Sequence, residues 1–290
     1  MENIGEGNVF TAVLKSMAVK WINEQVIREG DWFDGDILYC GKCKKPRRKW
    51  RDFNGEMIYT TEMCGCDIAE VEEEKRREQE AENQKRILEL KRASLMDEKF
   101  RSSSFDNFVV NCDNERQFRI SERYCEKFPE MLKRNQGLLF YGPVGTGKTF
   151  LSACIGNRLM ENLHSVFMTS FVKLLQNTSS FQSGEDEEAF IRRMNRASLC
   201  IIDDLDAERG TSYSLEKVYN IVDSRYRVGK PIIYTTNLTL AQMKETTDVR
   251  YSRIYDRIFE TCYPVEFKGQ SWRKKEAARR YEDMKSLLED

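Results

Sequence analysis

The residues best suited to chemistry are Gly142-Pro143-Val144-Gly145-Thr146-Gly147-Lys148-Thr149, a complete match to G-x-x-x-x-G-K-[ST]. They follow the apolar run LLFY and precede the helical pattern TFLSACIGNRLM, the strand-loop-helix context that such a loop requires. Glycines let the backbone wrap phosphate oxygens with its N–H groups, and a helix starting near Lys148 adds its positive end. Lys148 is placed to reach the outer phosphates and the Thr149 hydroxyl to ligate magnesium. ATP and Mg2+ are therefore the expected ligands of residues 142–150, Phe150 included.

Farther along, Leu199-Cys200-Ile201-Ile202-Asp203-Asp204 is an apolar strand pattern ending in two carboxylates. Phosphoryl transfer needs positioning and charge neutralisation more than covalent chemistry, so Asp203 is expected to hold the magnesium shell and Asp204 to orient the attacking water. Capping of the next helix is the competing role for this pair. A further strand pattern, Pro231-Ile232-Ile233-Tyr234, ends in Thr235-Thr236-Asn237. If it neighbours the first, the Asn237 amide stands beside the carboxylates and can hold a water. The alternative is a cap for LTLAQMKE.

A separate cluster lies near the start. Cys40-x-x-Cys43 and Cys64-x-Cys66 supply four thiolates, the number a closed tetrahedral Zn2+ site takes, and Gly41 and Gly65 let each pair turn onto one ion. A redox dithiol is the rival, and the second nearby pair favours zinc. Between the pairs, Lys42, Lys44, Lys45, Arg47, Arg48, Lys49 and Arg51 surround Trp50. That composition suits a single nucleic-acid strand, or equally a solvated loop or the docking face for an acidic protein.

These groups need elements to position them. Val9, Phe10, Val13, Leu14, Met17 and Trp21 recur at helical spacing, predicting a short helical lead-in before the turn-rich cysteine segment. From Ile68 to about Lys99 the chain has no Gly or Pro and pairs opposite charges at helical neighbours, predicting a long solvated helix. Beyond it, apolar runs at 137–141, 165–169, 199–203, 231–236 and 262–267 alternate with helical stretches, the pattern of an α/β fold with a parallel sheet flanked by helices. Asn177–Asp186 (NTSSFQSGED) is expected to be a loop. The organisation is then 1–67, a helical and zinc-binding region; 68–100, a charged linker; and 101–290, the nucleotide-binding domain.

Composition narrows the class. With 47 Lys+Arg against 48 Asp+Glu, the net charge of -1 excludes a globally basic nucleic-acid coat. No apolar stretch approaches the roughly 18 residues of a membrane span and the start lacks a basic n-region, so a cytoplasmic protein is expected. Nine cysteines, an odd number with five of them scattered, suit metal and free thiols in a reducing compartment. One histidine, His164, leaves no Ser/His/Asp hydrolase to build.

Together these residues resemble the AAA+ ATPases of the bacterial replicative-helicase loader group, the DnaC/DnaI type, with the IstB transposition ATPases as close relatives. The resemblance rests on GPVGTGKT, IIDDLDAE, SLEKVYNIVDSRYRVGKP, IIYTTNLTL, RYSRIYDRIFE and QSWRKKEA, in that order, and covers roughly residues 100–280. It implies a sensor 1 role for Asn237, an arginine finger at Arg257 acting on a neighbouring subunit's ATP, and a sensor 2 role for Arg273 in a short C-terminal helix. Arg250 and Arg253 compete with Arg257, and Lys274 and Lys275 with Arg273. A guanidinium suits both roles because it meets phosphate oxygens with two donors. Many AAA+ ATPases have Glu where this chain has Asp204, and the shorter side chain points to slow hydrolysis.

The resemblance implies an Mg-dependent ATPase that loads a replicative DNA helicase onto single-stranded DNA. It implies a homo-oligomer with ATP at subunit interfaces, the first 67 residues being the helicase-binding part. The alternatives are an IstB-like transposition regulator and a nucleotide-dependent DNA-binding adaptor with little turnover. A small-molecule kinase shares the phosphate loop, but the paired carboxylates, Asn237 and the late arginines suit a motor-type ATPase better.

Overall fold

Residues 27–35, 37–53, 56–61, 63–180, 184–205 and 212–289 are described by a computed structural model, in which the chain divides into two units, Met1–Glu82 and Asn83–Asp290. The expected helix over residues 9–21 lies outside the described residues. In the first unit, β1 (Trp32–Asp34) and β2 (Ile37–Tyr39) form one antiparallel hairpin, and β3 (Arg48–Phe53) and β4 (Glu56–Thr61) form another. The described part of the cysteine segment is thus short strands joined by turns, with a turn at residues 41–43 inside the first cysteine pair.

The charged helix α1 runs from Gly65 to Ala93, beginning inside the second cysteine pair. Asp67 is its only buried residue, and Glu73 pairs with both Arg76 and Arg77 along its surface. A solvated helix is as expected, but it stops before Lys99. The reason is local: Met96 is buried in the core, and the Met168 N–H donates to the Ser94 carbonyl at 2.7 Å. Gly156 leaves room for Met96, whose Cε lies 3.2 Å from where a Cβ would stand. Burial and a sheet-edge hydrogen bond outweigh the helix propensity of LMDEK.

The second unit is a parallel sheet of β5 (Gly137–Tyr141), β6 (Val166–Ser170), β7 (Leu199–Asp203), β8 (Ile232–Thr236) and β9 (Cys262–Glu266), in the order β6-β7-β8-β5-β9. The five strands fall within one residue of the apolar runs. Successive side chains of a strand face opposite ways, and both faces are covered. Leu139, Cys200, Ile202 and Tyr234 pack with α5 (Phe171–Ser180), α6 (Gly184–Arg196), α7 (Ser212–Val228) and α9 (Val249–Thr261). On the other side, Leu138, Phe140, Ile201 and Ile233 pack with α2 (Glu115–Glu126), α3 (Phe128–Lys133) and α4 (Lys148–Glu161). The expected loop at 177–186 is a correction, since helix occupies it up to Ser180 and from Gly184. Phe171 and Leu174 are fully buried, and that apolar face holds α5 against the sheet.

Strand order places the chemistry. β8 lies between β5 and β7, with Tyr141 opposite Thr236 and Ile202 opposite Tyr234. The loop after β5, the carboxylates ending β7 and Asn237 after β8 therefore emerge together, at the carboxyl ends where open α/β sheets bind ligands. The short helix α8 (Leu240–Lys244) follows, and α10 (Trp272–Glu289) closes the chain. Among the described residues no helix is long and apolar enough to cross a membrane.

Candidate functional site

The turn from β5 into α4 uses backbone that glycine adopts without strain: Gly142 and Gly145 have φ of 130° and 80°. A Cβ on Gly142 would also run into the Phe267 carbonyl, and one on Gly145 into the Ser271 hydroxyl. The crowding residues belong to the chain leading into α10, and the Trp272 N–H donates to the Gly145 carbonyl at 2.8 Å. The last helix therefore starts against the loop. Lys148 is buried at the loop's floor, where its Nζ donates to the carbonyls of Gly142 (2.7 Å) and Pro143 (2.8 Å) and to Asn237 Oδ1 (2.9 Å). Incoming phosphate oxygens would compete for this ammonium.

Asp203 is only 9% exposed. The Thr235 hydroxyl donates to Asp203 Oδ1 at 2.5 Å and accepts the Asp204 N–H at 2.9 Å, so one buried threonine ties both acidic residues to β8. Asp204, with φ of 52°, turns the chain out of the strand. Burial holds the Asp203 pKa above the usual carboxylate range. The Asp204 charge adds to the rise, while hydroxyl hydrogen bonds from Thr235 and Thr149 oppose it. A buried carboxylate with a hydroxyl beside it is an oxygen donor set of the kind magnesium takes.

Next to the loop, Asn107, Phe108, Val109, Gly147, Phe150 and Trp272 line a mostly apolar cleft of about 200 Å³. Phe108 stacks on Phe118 with ring centroids 5.7 Å apart and sits 5.9 Å from the Phe150 ring. Sequence reasoning placed only Gly147 and Phe150 here. Phe108 and Val109 belong to no motif, and their signal was the apolar FVV embedded in a turn-rich segment. Thr235 was missed for a different reason: its role appears only once β7 and β8 are neighbours.

Lys148, Asp203, Asp204 and Asn237 are thus brought to one end of the sheet. Arg273 is exposed in the first turn of α10, next to Trp272 and its bond to the loop. Arg257 stands apart, on the α9 face that meets α7. Its guanidinium is 22% exposed, pairs with Asp223, donates to the Tyr219 hydroxyl at 2.7 Å and lies over the Tyr219 and Tyr226 rings. To act on a neighbouring subunit it would have to leave Asp223. Arg253, one turn earlier, is exposed, and Arg250 pairs with Asp248.

In the first unit, the sulfurs of Cys40, Cys43, Cys64 and Cys66 all lie within 4.8 Å of one another, and none of the nine cysteines is in a disulfide. Tetrahedral zinc with bonds of about 2.3 Å sets its sulfurs ~3.8 Å apart, so small inward adjustments suffice. Backbone N–H groups of Cys43 and Lys42 lower the Cys40 thiol pKa, whereas burial raises that of Cys64. The four residues fit one metal ion. Of the basic run between them, Lys42, Lys44 and Lys45 are exposed but Arg47 is buried. The expectations for the side chains of Arg48, Lys49, Trp50 and Arg51 lie outside the described residues.

Comparison with known proteins agrees with this geometry. A family model described as IstB-like ATP binding protein matches residues 67–280. The chain is 28% identical over 186 residues to the replicative helicase loader DnaC of Buchnera aphidicola, covering 63% of this chain and 72% of that one. It is 25% identical over 253 residues to the phage-like element PBSX protein XkdC of Bacillus subtilis, covering 82% and 86%. The crystal structure of DnaI aligns with a TM-score of 0.51 at 24% identity, over 61% of this chain and 94% of that one, a likeness of fold. The sheet and its helices are the AAA+ P-loop fold.

Proposed function

The chain belongs to the IstB-like ATP-binding protein family, and from that premise we propose that it is an ATPase that loads a replicative DNA helicase onto single-stranded DNA. The observation that carries the reading is the meeting of Lys148, Asp203, Asp204 and Asn237 at one end of the sheet, in a chain whose relatives include named helicase loaders. ATP binding and an ATPase activity belong to the family. The helicase, the DNA and the subunit arrangement are our reading.

In it, backbone N–H groups of residues 142–149 other than Pro143 and the Lys148 ammonium hold the ATP phosphates, and the apolar cleft of Phe108, Phe150 and Trp272 takes the adenine. Thr149 and Asp203 would hold Mg2+, which supplies charge neutralisation on the phosphate oxygens. Asp204 and Asn237 orient the attacking water, and Thr235 fixes Asp204 by its backbone. Arg273 meets phosphate charge from the start of α10, and Arg257 acts on the ATP of a neighbouring subunit in a homo-oligomer. The cysteine quartet holds a structural zinc ion, and residues 1–67 dock the helicase, with 68–100 as connector and 101–290 as the motor. The work is cytoplasmic.

The test is complex formation by the full chain with the replicative helicase of its host, in ATP and in ADP, beside Lys148→Ala. An ATP-sensitive complex lost in that variant supports the reading. The family model's own description favours one second reading, an IstB-like transposition regulator. Binding to a transposase and none to a helicase would establish that instead, and ATP-dependent DNA binding without turnover would mark an adaptor.

A further inference from the structure

Arg47 lies in the middle of the basic run, yet its side chain is only 4% exposed. Its Nε and Nη2 grip the two Asp67 oxygens at 3.1 and 2.8 Å, and its Nη1 pairs with Asp31. Each carboxylate also holds one cysteine pair: Asp31 Oδ1 accepts the Gly41 N–H at 2.9 Å, and Asp67 Oδ2 accepts the Cys64 N–H at 3.2 Å. The Arg47 N–H bonds the carbonyl of buried Leu38 at 2.7 Å, and Arg28 supports Asp67 from the solvent side. A continuous path therefore runs Gly41, Asp31, Arg47, Asp67, Cys64, from one cysteine pair to the other, without passing through a sulfur.

We propose that Arg47 is a clasp that works beside the metal to hold the two cysteine pairs at the separation one ion requires, and that it belongs to the metal site and not to a nucleic-acid surface. The inference rests on the zinc reading of the quartet. Two buried carboxylates flanking four thiolates repel one another unless a cation joins them, and removing one partner of a buried ion cluster leaves uncompensated charge. Only a planar guanidinium serves both acids at once, with a fork on Asp67 and a third donor on Asp31, so lysine is a poor substitute. The clasp also fixes the entry of α1, because Asp67 sits in that helix's first turn.

The test uses the full chain in zinc competition against a chromophoric chelator, with cobalt(II) absorption to report tetrahedral thiolate ligation. Arg47→Gln should weaken zinc binding by about 10–100-fold, the range for partners that orient metal ligands, with Arg47→Lys intermediate. Lys45→Gln, its exposed neighbour two residues away, should stay within about twofold of wild type. Asp31→Asn removes one arm alone and decides by the same criterion if Arg47→Gln does not fold. Wild-type zinc affinity in Arg47→Gln, or in Asp31→Asn where the first variant is unfolded, overturns the clasp, as does a loss of single-stranded DNA binding with zinc affinity unchanged. A wild-type chain that binds no zinc overturns instead the metal reading beneath it.

Discussion

The phosphate loop rests on a sheet buried on both faces, with Phe140, Leu139 and Ile233 wholly out of solvent and helices above and below. At the cysteine quartet, Leu38 is the one buried aliphatic side chain among the described residues of the first unit, and the buried Arg47 with its two carboxylates stands where a core would be. Burying that leucine contributes about 1.5–3 kcal/mol, comparable with the chain entropy of fixing one or two residues. The first site is thus shaped by a core that exists without its ligand; at the second the described ties are the ion pairs of Arg47, and zinc there is our proposal. Ligand removal should then cost activity at one and structure at the other.

Zinc removal sharpens this contrast most. Structural zinc contributes about 10–16 kcal/mol to small metal-bound folds. Chelation should abolish the ordered signal of the first unit and open it to protease, while the melting of residues 83–290 stays put. An unchanged protease pattern at the hairpins would break the comparison.

The next effect is of opposite kind. Asp203→Asn should lower hydrolysis by about 100-fold or more by removing a metal-holding carboxylate, while raising the melting temperature of the nucleotide-free protein at neutral pH. The sign follows from its raised pKa: the unfolded carboxyl ionises first, so wild-type stability falls as pH rises through and above the ordinary carboxylate range. The variant should lack that part of the fall, measured as melting temperature against pH.

Arg257→Ala removes an ion pair, a hydrogen bond and two ring contacts between α7 and α9, and should cost about 1–2 kcal/mol, or ~2–4 °C per kcal/mol in melting temperature. Stability equal to wild type would show that the pair with Asp223 holds nothing and that Arg257 is free for a neighbouring subunit. The smallest effect lies at the start of α9. Arg250 holds the capping Asp248 carboxyl at about 2, so its contribution persists above pH 4 and fades as pH falls toward 2. Asp248→Asn should flatten only that acid limb of the stability curve.

Much of the second unit is legible in sequence because its signals are local. Five apolar runs lie within one residue of five strands, and Gly142–Thr149 are contiguous, so strand, loop and helix state their own geometry. What sequence misses depends on distant neighbours. Thr235 matters because β8 lies beside β7, Phe108 because a segment before α2 folds over the loop, and Met96 ends α1 because of a pocket beside Gly156. Arg47 is the clearest case: among six other basic residues, composition cannot distinguish the one enclosed by Asp31 and Asp67.

In the proposed function, ATP held at Lys148 drives transfer of a helicase to DNA. The most direct measurement is the amount of host replicative helicase left on circular single-stranded DNA after incubation with the full chain and ATP. The account predicts loading with the wild-type protein and ATP, and background with Lys148→Ala or without nucleotide. Equal loading by Lys148→Ala, or no gain over helicase alone, would contradict it.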